Sequence, residues 1–189
     1  MKRWTALAML LAGAGALALR VPQLGLRPLH NDEAINAAKL VALWEKREYL
    51  YDPDEYHGPT LYYSSLPFLW LSALINSTAR AGSQPPATKG MAGRTFSDSE
   101  LRVVTVTFGV GLILLLLLMA DGLGSLAAVW AAFFLAVSPA MVFYSRYFIH
   151  EMLLVFFTLL TLAAGWRYAQ SRKFAWAALT GFGVGLMFA

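Results

Sequence analysis

The chain contains no cysteine in its 189 residues, which excludes a disulfide framework and any thiolate metal site and leaves its redox compartment unmarked. Charge is also scarce: 14% of residues are charged against 58% hydrophobic. The mean hydropathy of +0.55 lies far outside the range of a soluble domain. The formal charge of +4 is spread through polar segments with no basic stripe. That suits anionic headgroups or lipid phosphate and argues against nucleic acid. No histidine or carboxylate cluster has a spacing specific enough to name a metal ion. These absences leave an all-α integral membrane protein whose core is largely lipid.

The apolar runs give its organisation. Lys2 and Arg3 precede a run from Trp4 to Leu19, so the positive-inside rule puts the N-terminus in the cytoplasm and makes residues 4–21 a first transmembrane helix. A cleaved signal peptide is the rival reading, since Ala16-Leu17-Ala18 fits a cleavage site. Three further runs have the length to cross, about 20 residues each: residues 101–120, 125–143 and 152–169. Another occupies 174–189 and reaches the last residue without a stop signal, which reads as a piece of something longer. Ser97-Asp98-Ser99-Glu100 forms a capping box ahead of the run at Leu101.

Residues 22–100 read as one long external loop holding interfacial helices. "PTLYYSSLPFLWLSALIN" is short, contains Pro67 and carries tyrosines at one end, so it is expected to lie at the interface and not to span. Asp32 can start a helix in which Ala37, Leu40, Val41 and Trp44 make an apolar stripe opposite Lys39 and Lys46, the pattern of a surface helix. "STARAGSQPPATKGMAG" reads as a loop, and the Asn76-Ser77-Thr78 sequon as a chance match.

Three polar clusters stand between the runs: His30-Asn31-Asp32-Glu33, the segment from Tyr51 through Asp52, Asp54, Glu55 and Tyr56 to His57-Gly58-Pro59, and Ser145-Arg146-Tyr147-Phe148-Ile149-His150-Glu151. A charge at membrane depth is costly and marks a candidate site. Each has an ordinary reading too. The helix dipole favours Asp32 and Glu33 at a helix start, Arg146 and Glu151 can anchor an interface, the acids around Pro53 suit a solvated turn, and His57 can simply hydrogen-bond a loop. With residues 60–75 not spanning, helix counting returns His150-Glu151 to the face that holds Asp32-Glu33.

"LHNDEAINA", "YDPDEYHGPTLYY" and "SPAMVFYSRYFIHE", in that order, together with Ser99, Glu100 and Arg102, resemble membrane glycosyltransferases of the GT-C fold. The resemblance is to the dolichyl-phosphate-mannose protein mannosyltransferase group, including the aminoarabinose transferases and the prokaryotic flippase-associated glycosyltransferase-like proteins. The chain departs from that pattern in having Glu151 for Asp, an added Asp54-Glu55 and a shifted Arg102. The resemblance implies a GT-C-like multispan helical bundle in the cell membrane, with further helices beyond this chain and an active site on the external face. It implies inverting transfer of a sugar from a polyprenyl-phosphate donor to a protein or lipid-linked glycan acceptor. Asp32 and Glu33 become the catalytic acids, Asp32 as base, and His57, Tyr62, Arg146, His150 and Glu151 bind substrate, Arg146 at the lipid phosphate. No cofactor is fixed, and a divalent cation is left open. The alternative is a non-catalytic truncated paralogue, a lipid-carrier-binding subunit, or a flippase or transporter component.

Overall fold

The computed structural model of the chain describes residues 3–51, 53, 57–80 and 96–188, with 76–80 as helix backbone alone. Lys2, the acids Asp52, Asp54 and Glu55, Tyr56, most of the expected 77–93 loop and Ala189 lie outside the described residues. Among those described there are nine α-helices and no strand. They are α1 (Arg3–Arg20), α2 (Asn31–Lys46), α3 (Thr60–Arg80), α4 (Asp98–Leu115), α5 (Ala120–Leu123), α6 (Ser125–Val137), α7 (Pro139–Tyr144), α8 (Glu151–Ser171) and α9 (Phe174–Phe188).

Two helical stretches, Asp98–Leu118 and Glu151–Ser171, are long and apolar enough to cross a bilayer; Thr60–Ile75, Ser125–Val137 and Phe174–Phe188 are shorter apolar helices. The first stretch begins where Ser97 Oγ accepts the Glu100 N–H at 3.2 Å while Glu100 Oε2 accepts the Ser97 N–H at 2.8 Å, a reciprocal capping box. It continues past α4 through a 3-10 turn at Leu116–Leu118. The apolar run read as 125–143 is broken in two. Pro139 has no N–H to donate and disfavours helical backbone in the residue before it. Ser138 is accordingly extended at φ −56°, ψ 122°, and its hydroxyl caps α7.

Packing follows from small residues at the contacts. α8 and α9 are joined by Arg172 and Lys173 and pack antiparallel. A Cβ at Gly183 would stand 2.5 Å from Thr161 Oγ1 and 3.4 Å from its backbone nitrogen, so the two helices meet closely there. One apolar cluster joins α1, α4 and α6 through Met9, Ala16, Val110, Ile113, Ala128 and Ala132. A second joins α2, α3, α4 and α8 through Leu40, Leu61, Leu69, Val104, Leu153 and Phe157.

The polar contacts gather at one end of this bundle. There the tails of α1, α6 and α9 meet the heads of α2, α4 and α8, as the hydrogen bonds below establish. Thr60 Oγ1 donates to Leu186 O near the tail of α9 at 3.2 Å, while Ser72 hydrogen-bonds Glu100 in the first turn of α4. α3 therefore lies across the helix ends over that stretch, and Pro67 sits within it without ending it. At the other end Arg167 pairs with Asp121 at 2.9 Å.

Gly183→Leu is expected to lower stability by about 1–3 kcal/mol, the scale of overpacking, read as a fall in the thermal midpoint of the purified protein in detergent. An unchanged midpoint would mean that α8 and α9 do not meet at this glycine.

Candidate active site

The segment Ser145–His150 between α7 and α8 is where the long-range polar contacts converge. It is brought close to α4 by Gly109, whose Cβ, if present, would lie 2.5 Å from that of Ser145. Arg20, the fully buried last residue of α1, donates Nε–H to Ser145 Oγ at 2.9 Å. It also donates to the carbonyls of Ala136 at 2.8 Å and Leu135 at 2.9 Å, satisfying the tail of α6.

Glu33 is the next link. Its carboxylate is fully buried against the equally buried Arg102, with Nε–H to Oε1 and Nη2–H to Oε2 both at 2.8 Å, the bidentate fork that suits a guanidinium. Oε1 also accepts the Phe148 N–H and Oε2 the His30 N–H, each at 3.0 Å. Arg102 spends its remaining donors on the carbonyls of Leu24, Arg27 and Pro28. Burial alone would raise the Glu33 carboxyl, but the Arg102 fork and the two backbone donors outweigh it and hold it below the usual range.

Asn36, one turn on, donates to Phe148 O at 3.1 Å and accepts the Tyr62 hydroxyl at 2.9 Å. α2 thus grips both polar atoms of one peptide residue, and Tyr62 of α3 is fixed to it. The buried face of α2 shares Leu40 with the expected Ala37–Leu40–Val41–Trp44 stripe, and Ala37 and Trp44 are partly buried beside it, but the face is turned toward the polar head of the helix. Glu33, Asn36, Leu40 and Leu43 are the buried residues, because the helix must aim its polar head at Arg102 and Phe148.

Asp32 points elsewhere. It is exposed, with its carboxylate 3.6 Å from His30 Nδ1. His30 in turn meets the Tyr147 ring edge-on at 6.1 Å, and the Arg27 guanidinium lies over that same ring at 4.0 Å. Arg146 donates to the carbonyls of Pro22 at 2.8 Å and Leu19 and Gln23 at 3.4 Å. It also lines, with Arg27 and Arg102, a cavity of about 520 Å³ whose other walls include Leu19, Phe143 and Val137.

The two histidines form a separate subsite. His57 and His150 stack with ring centroids 4.4 Å apart and planes 6° from parallel, and Tyr62 meets His150 edge-on. Burial, and then the neighbouring His57, push His150 down to about 4, so it is neutral at ordinary pH. Its Nε2 is buried and has no hydrogen-bond partner among the described residues. Together with Gly58, Thr60 and the exposed Glu151 the pair lines a cavity of about 170 Å³. Among the described residues no group of three or more His, Asp and Glu could hold a metal ion.

Of the expected residues, then, Glu33, Tyr62, Arg146, His57, His150 and Glu151 are gathered on or around one segment, with Asp32 beside them at the head of α2. The acidic head of α2 and the His150 segment do meet, through the Glu33–Phe148 hydrogen bond. Sequence reading left out the role of Arg102, of Asn36 and of the buried Arg20. The available signal was an arginine at the edge of a long apolar run, Arg102 just past the acidic first turn of α4 and Arg20 at the end of α1, a charge that demands a partner.

This arrangement is that of a helical protein with two helical stretches long and apolar enough to cross a membrane and a polar site at their ends. Residues 87–189, more than half of the chain, match the dolichyl-phosphate-mannose-protein mannosyltransferase family, and the chain belongs to that family. Membership makes it a mannosyltransferase-like glycosyltransferase of the membrane. No curated protein and no solved structure matched the chain. Arg102, Arg146, His150 and Glu151 fall within the matched residues, whereas Asp32, Glu33, His57 and Tyr62 precede them.

Removing Arg102 alone strands a buried carboxylate. Arg102→Met should cost about 3–5 kcal/mol, while Glu33→Leu/Arg102→Met should cost clearly less than the sum of the single changes; additive losses in denaturant unfolding would show that the pair is not coupled.

The two buried acid–base groups also set the acid side of the stability profile. His150 titrates near 4 when folded against about 6.5 unfolded, so the unfolded chain holds the extra proton in that window and stability falls as pH drops through it. The depressed Glu33 acts lower: its contribution is full above an unfolded value of about 4.3 and is lost as pH falls through the folded one. His150→Gln should flatten the thermal midpoint between pH 6.5 and 4, and a slope unchanged there would assign it to other groups.

Proposed function

We propose that the chain catalyses inverting transfer of a sugar from a polyprenyl-phosphate donor to a hydroxyl acceptor at the external face of the cell membrane. The observation that carries this reading is the placement of an exposed carboxylate, Asp32, one residue from the Glu33 that binds the Arg146-bearing segment. A base and a phosphate-binding cation are thereby held at the same end of a membrane bundle.

The polarity of the chain supports the orientation. Arg3, Arg167, Arg172 and Lys173 stand at the opposite end from the site, at the head of α1 and around the α8–α9 connection, as the positive-inside rule expects of a cytoplasmic face. α3 lies across the helix ends instead of along them, which fits an interfacial helix. The polyprenyl chain stays in the bilayer, so its phosphate and sugar must react at this interface.

In the reaction, Asp32 takes the proton of the acceptor hydroxyl as its oxygen attacks the anomeric carbon. The bond from that carbon to the phosphate oxygen breaks on the opposite side, and the lipid phosphate leaves with the electron pair. Arg146 balances the charge that grows on the departing phosphate. Glu33, its oxygens already taken by Arg102, His30 and Phe148, serves as a positioning residue. The neutral His150, with His57, Tyr62 and Glu151, lines the side where uncharged hydroxyl groups are held. The carboxylates lie at helix ends and not at mid-depth on broken helices, which favours surface chemistry over a transport pathway.

Asp32→Asn should lower the transfer rate by roughly 10²-fold or more, the scale of a general base, with the donor KM little changed. Arg146→Ala should weaken donor binding and turnover together. The assay is radiolabelled sugar transfer from a polyprenyl-phosphate donor, and near-normal turnover by the Asp32→Asn protein would remove Asp32 from the mechanism.

A further inference from the structure

Arg20 is a buried charge that the proposed transfer does not use. Its guanidinium is fully buried, and every acceptor it reaches is neutral: Ser145 Oγ at 2.9 Å and the carbonyls of Ala136 at 2.8 Å, Leu135 at 2.9 Å and Ala16 at 3.3 Å. Among the described residues no carboxylate pairs with it. Withdrawing a charge from water is costly, and neutral acceptors return only part of that cost. A neutral donor would suffice to cap the tail of α6. Arg20 is therefore a poor choice for stability alone, and what it holds in place explains it better.

What it holds is the base of Arg146. The Ser145 hydroxyl is used twice, accepting from Arg20 and donating to Met141 O, so it ties the last residue of α1 to α7. The next residue, Arg146, reaches back to the same stretch of chain and donates to the carbonyls of Leu19, Pro22 and Gln23. The two arginines thus form a reciprocal clasp in which each grips the other's segment. The clasp is tightly set. Gly109 packs against Ser145 with no room for a Cβ. Gln23 is left-handed at φ 59°, a conformation that costs a non-glycine residue about 1 kcal/mol or more and persists where neighbouring contacts enforce it. Leu19 and Gln23 line the arginine cavity together with Arg146, so the clasp determines where that guanidinium stands.

We infer that Arg20 is a positioning residue of the transfer reaction, acting through Ser145 to fix Arg146 at the cavity. The inference rests on the proposed role of Arg146 at the departing phosphate. A displaced guanidinium would meet the phosphate poorly in the bound donor and again as charge develops, and a misplacement of about 1 Å can cost on the order of 10²-fold in rate. Arg20 is itself fully enclosed and acts only through the segment it holds.

The test is kinetic, on the full-length protein in lipid nanodiscs, with radiolabelled sugar transfer from a polyprenyl-phosphate donor. Ser145→Ala removes the acceptor of the Arg20 Nε–H without adding bulk, and Arg20→Lys keeps the charge but loses the fork. Each should lower kcat/KM for the donor roughly tenfold and leave the acceptor KM unchanged. In an Arg146→Ala background the same substitutions should change donor kcat/KM by less than about twofold, because the residue they act through is gone. A merely structural loss would persist in that background, would affect both substrates alike and would follow the thermal midpoint. Unchanged donor kinetics in either folded variant, or losses that multiply with that of Arg146→Ala, overturn the inference. If Arg146→Ala itself leaves donor kinetics untouched, its role at the phosphate fails and the inference falls with it. An effect of Arg146→Ala without one from Ser145→Ala and Arg20→Lys refutes the positioning role alone.

Discussion

A carboxylate and a guanidinium withdrawn from water together fix the geometry of this molecule. Arg102 stands in the second turn of α4, buried, with no further charge from there to Leu118, where an unpaired charge would be untenable. Its fork holds Glu33, its other donors hold the carbonyls of the α1–α2 connection, and Glu33 reaches on to the Phe148 N–H. Three regions distant in sequence, residues 24–33, the head of α4 and the Phe148 segment, are thereby locked in one register. The value of such a pair lies less in net stability than in the penalty for breaking it, so it acts as a constraint on shape.

That constraint sorts the charged residues into two kinds. Glu33, Arg20 and Arg102 are buried and saturated by protein partners. Asp32, Arg27 and Glu151 are exposed, and Arg146 lines a cavity. Under the proposed function the distinction bears on chemistry: Asp32 is the exposed carboxylate at the head of α2, while Glu151, also exposed, lies by the histidine pair. A single displacement, with the base on the acceptor side and cations on the phosphate side, uses what is there. The histidine pair and its small cavity lie apart from the arginine cavity, which suits the proposed transfer, with a charged lipid head on one side and uncharged hydroxyl groups on the other.

Much of the helical skeleton was legible, because a capping box at Ser97 and Glu100 and long apolar runs are local signals. The break at Ser138-Pro139 was visible too, yet hydrophobicity carried the reading across it. The site was legible as a list of polar residues at the ends of runs and illegible as an arrangement. Asp32 and Glu33 are adjacent and chemically alike, and what separates their roles is a rotation of about 100° around the helix axis, which turns one toward Arg102 and the other to solvent. Arg146 read as an interface anchor or as the cation for a lipid phosphate, and its carbonyl partners lie more than a hundred residues away. Such pairings are set by tertiary packing and leave no local trace.

The configuration of the transferred sugar tests the central claim most directly. A donor of known anomeric configuration would be incubated with the full protein and acceptor, and the product linkage read by the one-bond carbon–hydrogen coupling at its anomeric centre. A single displacement driven by Asp32 gives a product of opposite configuration to the donor. Retained configuration would require a second nucleophile in the site and would contradict the division of labour between Asp32 and the buried Glu33.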